Sequence, residues 1–579
     1  MTNKQRLGII LSLIVLSSFL FAEEKTTMVY LEHSETLSFD EQRLPDAQIL
    51  IGNVIFRHDS ALMYCDSAYY YEKNNSLDAF GHVRLEQGDT LQGFGDVLYY
   101  DGNAKIARFR NNVKLIHTHT TLTTDSLNYN RPKDIAYYFT GGTIRDSVNT
   151  LTSVWGQYTL GNHQALFKKK VHLVNDKFVL DADSLKYNTE TNIADLVGKT
   201  DIVYEKETFI TSTRGWYDTR TEESMLTENA YIKHEDGKHL TGDTIFYDKP
   251  NGRGFVKHNM NFCDSVNQAT LRGHFGWFEE KTELGFATDS ALFIDHSSKD
   301  SMYLHADSLY MESVPYRTYT LQPKDSVLIN DVLTYQKPDT LWKDTSYRLV
   351  RAYHHVRVYR QDMQAICDSM RYNGKDSIIS LYVNPVIWKE DQQFSADSIM
   401  IFIKNESVEH IHGIGSAIAA QQDRETQFNQ LSGKEILAYI KDGQMREIHV
   451  NGNAETVFFA REDDGTLVGV NKTQSSYVKL YIEDGKLDHM LFTATTTGAM
   501  HPIDKIAEKD TKLSAFFWAD TERPTSYLDV FRDPENKVER PQKTALSAVD
   551  TAPTTEDTVA DTSTNKSSGK GNKKLSVKK

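Results

Sequence analysis

The sequence predicts an all-β chain: a stack of short antiparallel strands built from repeats of about 30 residues. Three observations lead there. First, an aromatic recurs at Tyr70, Tyr100, Tyr129, Tyr158, Tyr187, Tyr217, Tyr247 and Phe278, in steps of 30, 29, 29, 29, 30, 30 and 31 residues. A fixed period of this size marks a stacked repeat architecture. Second, the neighbours of that aromatic keep register. Five positions before it the residue is small (Cys65, Gly95, Thr124, Ser153, Ala182, Ser212, Gly242, Gly273), and four before it Asp recurs at Asp66, Asp96, Asp125, Asp183 and Asp243. Third, 30 Tyr and 27 Phe against 12 Pro in 579 residues favour strands, and no 3.6-residue apolar period runs through residues 26–311.

Taken in order, residues 1–22 read as an export signal. Lys4 and Arg6 precede the apolar run Leu7 to Phe21, and Ala22 offers a small residue for cleavage. That run is shorter than the roughly 20 residues of a membrane span. Residues 23–311 form a first β module. Each repeat holds two strand-like runs split by polar turns such as Glu86-Gln87-Gly88-Asp89. In Leu180–Tyr187, Leu180 and Ala182 share one face, and Leu185 and Tyr187 share another. For both pairs to reach one interior, the strand must bulge near Asp183-Ser184, where Asp and Ser can bond the freed backbone. Residues 312–347, with Pro315, Pro323 and Pro338, read as an insertion or hinge. The pattern resumes at His355-Val356-Arg357-Val358 and Cys367-Asp368-Ser369, so a second module is expected over 348–531. Residues 532–579 have almost no large apolar side chains and are expected to be a disordered tail.

Little in the sequence points to catalysis. The Asp-Ser pair recurs along the whole stack, whereas a catalytic site is used once. His117 and His119, like His410 and His412, are spaced to share a strand face, but no third metal ligand is evident. There is no nucleophile elbow, phosphate loop or dinucleotide fingerprint, and no zinc-type Cys/His spacing. No enzyme, metal or cofactor is expected. Three Cys cannot all pair within one chain, and Cys65 and Cys367 read as small packing residues. A net charge of −15 argues against nucleic acid.

The set Gly81-His82-Val83, Ala182-Asp183-Ser184-Leu185-Lys186-Tyr187-Asn188 and Gly242-Asp243-Thr244-Ile245-Phe246-Tyr247-Asp248 resembles the OstA/LptA family of lipopolysaccharide-transport proteins. The resemblance is good over 30–310 and weaker over 350–500. It implies an open, solenoid-like β-jellyroll stack in two modules, with an apolar interior for the acyl chains of lipopolysaccharide. It also implies modules joined edge to edge across the periplasm, serving lipopolysaccharide delivery to the outer membrane. The expected partners are other lipopolysaccharide-transport proteins, met through edge strands, and further copies of the chain. The chain departs from the family in being far longer than the single-module carrier and in lacking a following membrane barrel.

Physical chemistry supports such a cargo. Exposing acyl chains to water costs about 0.8 kcal/mol per CH₂, roughly 10 kcal/mol for one long chain. Alternation nominates Val54, Phe56, Val83, Leu85, Val113, Leu115, Leu127, Tyr129, Val171, Leu173, Leu185 and Tyr187 as the trough lining. The alternative is an extracytoplasmic structural or glycan-binding β-solenoid without lipid cargo. An exported β-helical polysaccharide hydrolase ranks third.

Overall fold

Short alternating strands that bury one face need a facing layer, and here the chain supplies it by folding its own sheet in two. The computed structural model describes residues 27–322, 327–329, 332–334, 338–405, 407–462, 464–483, 486–533 and 537–541. The expected export signal, and residues 542–579 of the expected tail, lie outside the described residues. Strands such as Gln48–His58, Ala61–Tyr71 and Ser76–Gln87 pair antiparallel, each with the next in sequence. The pairing continues into one 34-stranded sheet, and among the described residues there is no α-helix.

Most strands of the repeat bend near the middle. In Gln48–His58, Leu50 faces inward, Gly52 and Asn53 take φ of 86° and 45°, and Val54 and Phe56 face inward again. Elsewhere the left-handed pair is Asn111-Asn112, Lys169-Lys170 or His258-Asn259. Asn tolerates this conformation well and Lys poorly. The facing strand of each pair slips register at the same level. In Phe178–Asn188 the slip falls between Ala182 and Leu185, the corner expected near Asp183-Ser184. The aligned bends form a crease that folds the sheet into two walls with their apolar faces together.

The recurring Asp does a different job from the one expected. At three of its five positions it holds the side chain of a left-handed residue on the next strand rather than freed backbone. His82 Nδ1 lies 2.7 Å from Asp66 Oδ2, and Asn112 Nδ2 and Asn259 Nδ2 donate to Asp96 (2.6 Å) and Asp243 (3.0 Å). Gly81 must be glycine for two reasons: its φ is 75°, and a Cβ there would run into the Asp66 carboxylate.

The two stretches expected as modules share this sheet and one continuous hydrophobic cluster, which extends from Val29 to Val478. Between them, Met302–Gln322 and Asp339–Arg360 pair from Tyr303 and Tyr359 out to Gln322 and Asp339. Their outer neighbours stop pairing at Met311 and Leu349. Most of 312–347, expected as an insertion or hinge, is therefore a two-stranded ribbon projecting from the sheet.

After the strand Thr497–His501 the chain runs back across the outer face of one wall. Three buried glutamines on that wall hold this strap, 502–531. Gln430 donates to Thr511 O (2.9 Å) and accepts from Leu513 N (2.8 Å). Gln393 donates to Phe517 O (2.9 Å) and accepts from Ala519 N (2.7 Å). Gln364 accepts from Arg523 Nε (2.7 Å). Leu513, Ala519 and Val530 plug three small apolar clusters along the way. The contacts reach past 531, since Val538 N donates to Glu522 Oε1 (2.8 Å).

Candidate functional site

The recurring tyrosine lies near the end of its strand, on the inner face of one wall. Its ring lies in the interior and its hydroxyl reaches the rim where the two walls meet. Tyr100 OH lies 2.7 Å from His58 Nδ1, and Tyr158 OH lies 3.0 Å from His117 Nδ1, both across the rim. Tyr187 OH donates to Asp146 Oδ2 (2.5 Å) and accepts from Asn149 Nδ2 (2.7 Å). Between these rungs, Lys105 pairs with Asp59 (2.8 Å), Arg131 Nε donates to Gln87 (2.9 Å), and Lys177 pairs with Glu222. Tyr204 OH also donates to Glu222 (2.7 Å). Together these contacts form a polar seam that closes the interior from the N-terminal end to about residue 222.

The seam shifts the groups that make it. Burial pushes the His58 and His117 pKa values down, the latter helped by the neighbouring His163. The hydrogen bond from Lys105 lowers Asp59 to about 2. Burial and then the Asp146 charge raise the Tyr187 hydroxyl.

Beyond that point the rungs fail. Tyr217 OH is buried with no hydrogen-bond partner among the described residues. Tyr247 OH turns to Glu280 on its own wall (2.6 Å), and the next member of the column, Phe278, has no hydroxyl. The interior loosens at the same place. Of the half-buried apolar residues lining the continuous cluster, all but Leu31 and Ala182 lie beyond residue 230; they include Ile232, Phe262, Phe278 and Phe293. A cavity of ≈ 30 Å³ sits between the walls here, lined by Phe262, Leu271, Phe293, Leu309, Met311 and Val350 among others. It has room for about two waters. The cross-rim tyrosine contacts that close the earlier repeats are absent at this mouth among the described residues.

All twelve residues nominated from alternation point into the interior and are at most 2 % exposed. Val54, Phe56, Val83, Leu85, Val113, Leu115, Val171 and Leu173 line one wall, and Leu127, Tyr129, Leu185 and Tyr187 line the other. They lie in the seamed part. Sequence reasoning missed the mouth residues, although the change from Tyr to Phe at position 278 was visible.

The paired histidines do not converge on a metal-like group. His117 stacks on His163, and His410 stacks on Phe402. Among the described residues no three His, Cys, Asp or Glu gather as metal ligands. Cys65 and Cys367 are buried, and burial raises both thiols to about 12. Outside the trough, a groove of ≈ 570 Å³ lies along the crease, between Tyr64, Asp66, His82, Arg84, Phe94 and Asp96.

Fold and interior together define a creased, two-walled β-jellyroll stack with a packed apolar interior. Residues 26–183 match the family model described as OstA-like protein. The OstA/LptA-like resemblance therefore holds there, and it supports a family of the lipid-transport type. The same sheet and core continue beyond that stretch. No curated protein matches the chain.

Proposed function

We propose that the chain is a non-enzymatic periplasmic carrier or bridge for lipopolysaccharide, shielding acyl chains between its walls on the way to the outer membrane. The observation that supports it most is the single apolar cluster from Val29 to Val478, seamed at one end and unzipped beyond residue 230. With strands about 4.8 Å apart, two dozen rungs give a path on the order of 100 Å. No chemical step is needed, only an apolar medium that replaces water. Cargo enters at the mouth and spreads toward the twelve nominated residues as the seam yields.

The sheet ends suit assembly. Tyr30–His33 and Thr36–Phe39 each pair on one side only among the described residues, with Tyr30, Leu37 and Phe39 exposed. Such edges accept another strand, from a transport partner or a second copy. The test is binding of purified lipopolysaccharide. Phe293→Asp at the mouth should weaken it by at least about tenfold, and Val266→Asp on an exposed turn should leave it unchanged. Equal binding by both variants would count against the reading.

The crease groove favours a second reading, a glycan-binding solenoid. Tyr64 and Phe94 offer aromatic platforms, and Asp66 and Asp96 offer acceptors for sugar hydroxyls. It predicts polysaccharide binding that Tyr64→Ala removes and Phe293→Asp does not.

A further inference from the structure

The ribbon beyond Glu312 and Arg348 holds no buried residue among those described. An isolated two-stranded ribbon is marginal in water, yet this one carries large apolar side chains in the open. Tyr319, Leu321, Leu341 and Trp342 are 55, 56, 54 and 60 % exposed. Tyr319 and Trp342 are direct cross-strand partners, with rings 5.4 Å apart, and Leu321 lies two residues along on the same face. Leu341 lies on the opposite face.

The distribution indicates the kind of partner. A protein surface covers one face of a ribbon and leaves the other polar. Apolar residues on both faces suit immersion in a medium, and Trp and Tyr are the side chains that settle at the boundary between lipid headgroups and hydrocarbon. The charges agree. Over 314–347 four basic and four acidic residues cancel, in a chain whose net charge is −15, so the ribbon escapes the repulsion that the rest of the chain has for an anionic surface.

Position adds a further argument. The strands that project as the ribbon also contribute Leu309, Tyr310, Met311, Arg348 and Val350 to the mouth of the trough. We propose that this ribbon docks into the interface of a lipid bilayer and thereby sets the mouth of the trough at the membrane surface. The consequence for cargo transfer rests on the carrier reading above; the docking itself does not.

The test is flotation of the chain without its expected export signal, residues 1–22, with vesicles of phosphatidylethanolamine and phosphatidylglycerol that contain no lipopolysaccharide. The parent chain should float with them. The triple variant Tyr319→Ser/Leu321→Ser/Trp342→Ser should lower the floated fraction by at least about tenfold. These side chains are exposed, so the variant keeps its fold, which circular dichroism checks. Quenching of tryptophan fluorescence by brominated lipid should also fall in Trp342→Phe. A parent chain that stays at the bottom, or a triple variant that floats as the parent does, overturns the proposal. Lipopolysaccharide binding measured on the same samples separates the two ideas: flotation without binding sinks the carrier reading alone, and binding without flotation sinks the docking alone.

Discussion

At the scale of single residues, the hydroxyl explains why most repeats keep tyrosine rather than phenylalanine. The ring packs in the interior, and at Tyr100, Tyr158 and Tyr187 the hydroxyl finds partners across the rim. Tyr187→Phe keeps the ring and leaves Asp146 and Asn149 without it. The expected cost is about 1–3 kcal/mol, the usual penalty for orphaned buried polar groups, and urea unfolding measures it. The seam histidines give a pH dependence with a definite sign. His58 faces Tyr100, Thr27, Asp59, Lys105 and Arg131, and His117 faces Tyr158, His163 and Asp134. Burial lowers both below their ordinary value of 6.5, so the unfolded chain takes up protons first as the pH falls. Stability is full above about 6.5 and declines below it. The melting temperature should drop between pH 7.5 and 5.5, and drop less in His58→Gln/His117→Gln; an equal drop would refute the assignment. The tyrosine column was legible in the sequence as a period. Its partners were not: Asp146 lies 41 residues from Tyr187, in a turn, and His58 lies 42 from Tyr100, at the end of a strand.

At the scale of elements, the crease could be read in advance because a three-residue step between Ala182 and Leu185 does not fit a flat strand. The Asp was legible as a corner residue, but its partner on the adjacent strand could not be read from one strand alone. The strap was hidden for another reason. It has no period, and its anchors are glutamines sitting in strand positions that look polar and solvent-facing. Gln393 satisfies Phe517 O and Ala519 N at once and also accepts from Trp388 Nε1 (3.2 Å). Gln393→Leu should therefore destabilise the chain by about 1–3 kcal/mol and speed proteolytic cleavage within 502–531. Unchanged cleavage would mean that the strap is held by its apolar plugs alone. The crease offers a parallel check: Gly81→Ala meets both a left-handed φ and the Asp66 carboxylate, so it should lower the unfolding midpoint more than Gly88→Ala on an open turn.

At the scale of the whole molecule, the account rests on one contrast along a continuous apolar core: closed by polar rungs up to about residue 222, loosely lined beyond 230. Alternation identified inward residues correctly in the first part, since alternation reports facing. It could not report how tightly the two walls meet, because that depends on pairs of rims far apart in sequence. The direct test is photocrosslinking in cells from a benzophenone amino acid placed at Phe293 in the mouth, with Val266 on an outer turn as the control, followed by a lipopolysaccharide immunoblot. The account predicts a lipopolysaccharide adduct from position 293 and none from 266. No adduct at 293 in a folded, exported protein, or equal adducts at both positions, would contradict a lipid-holding interior.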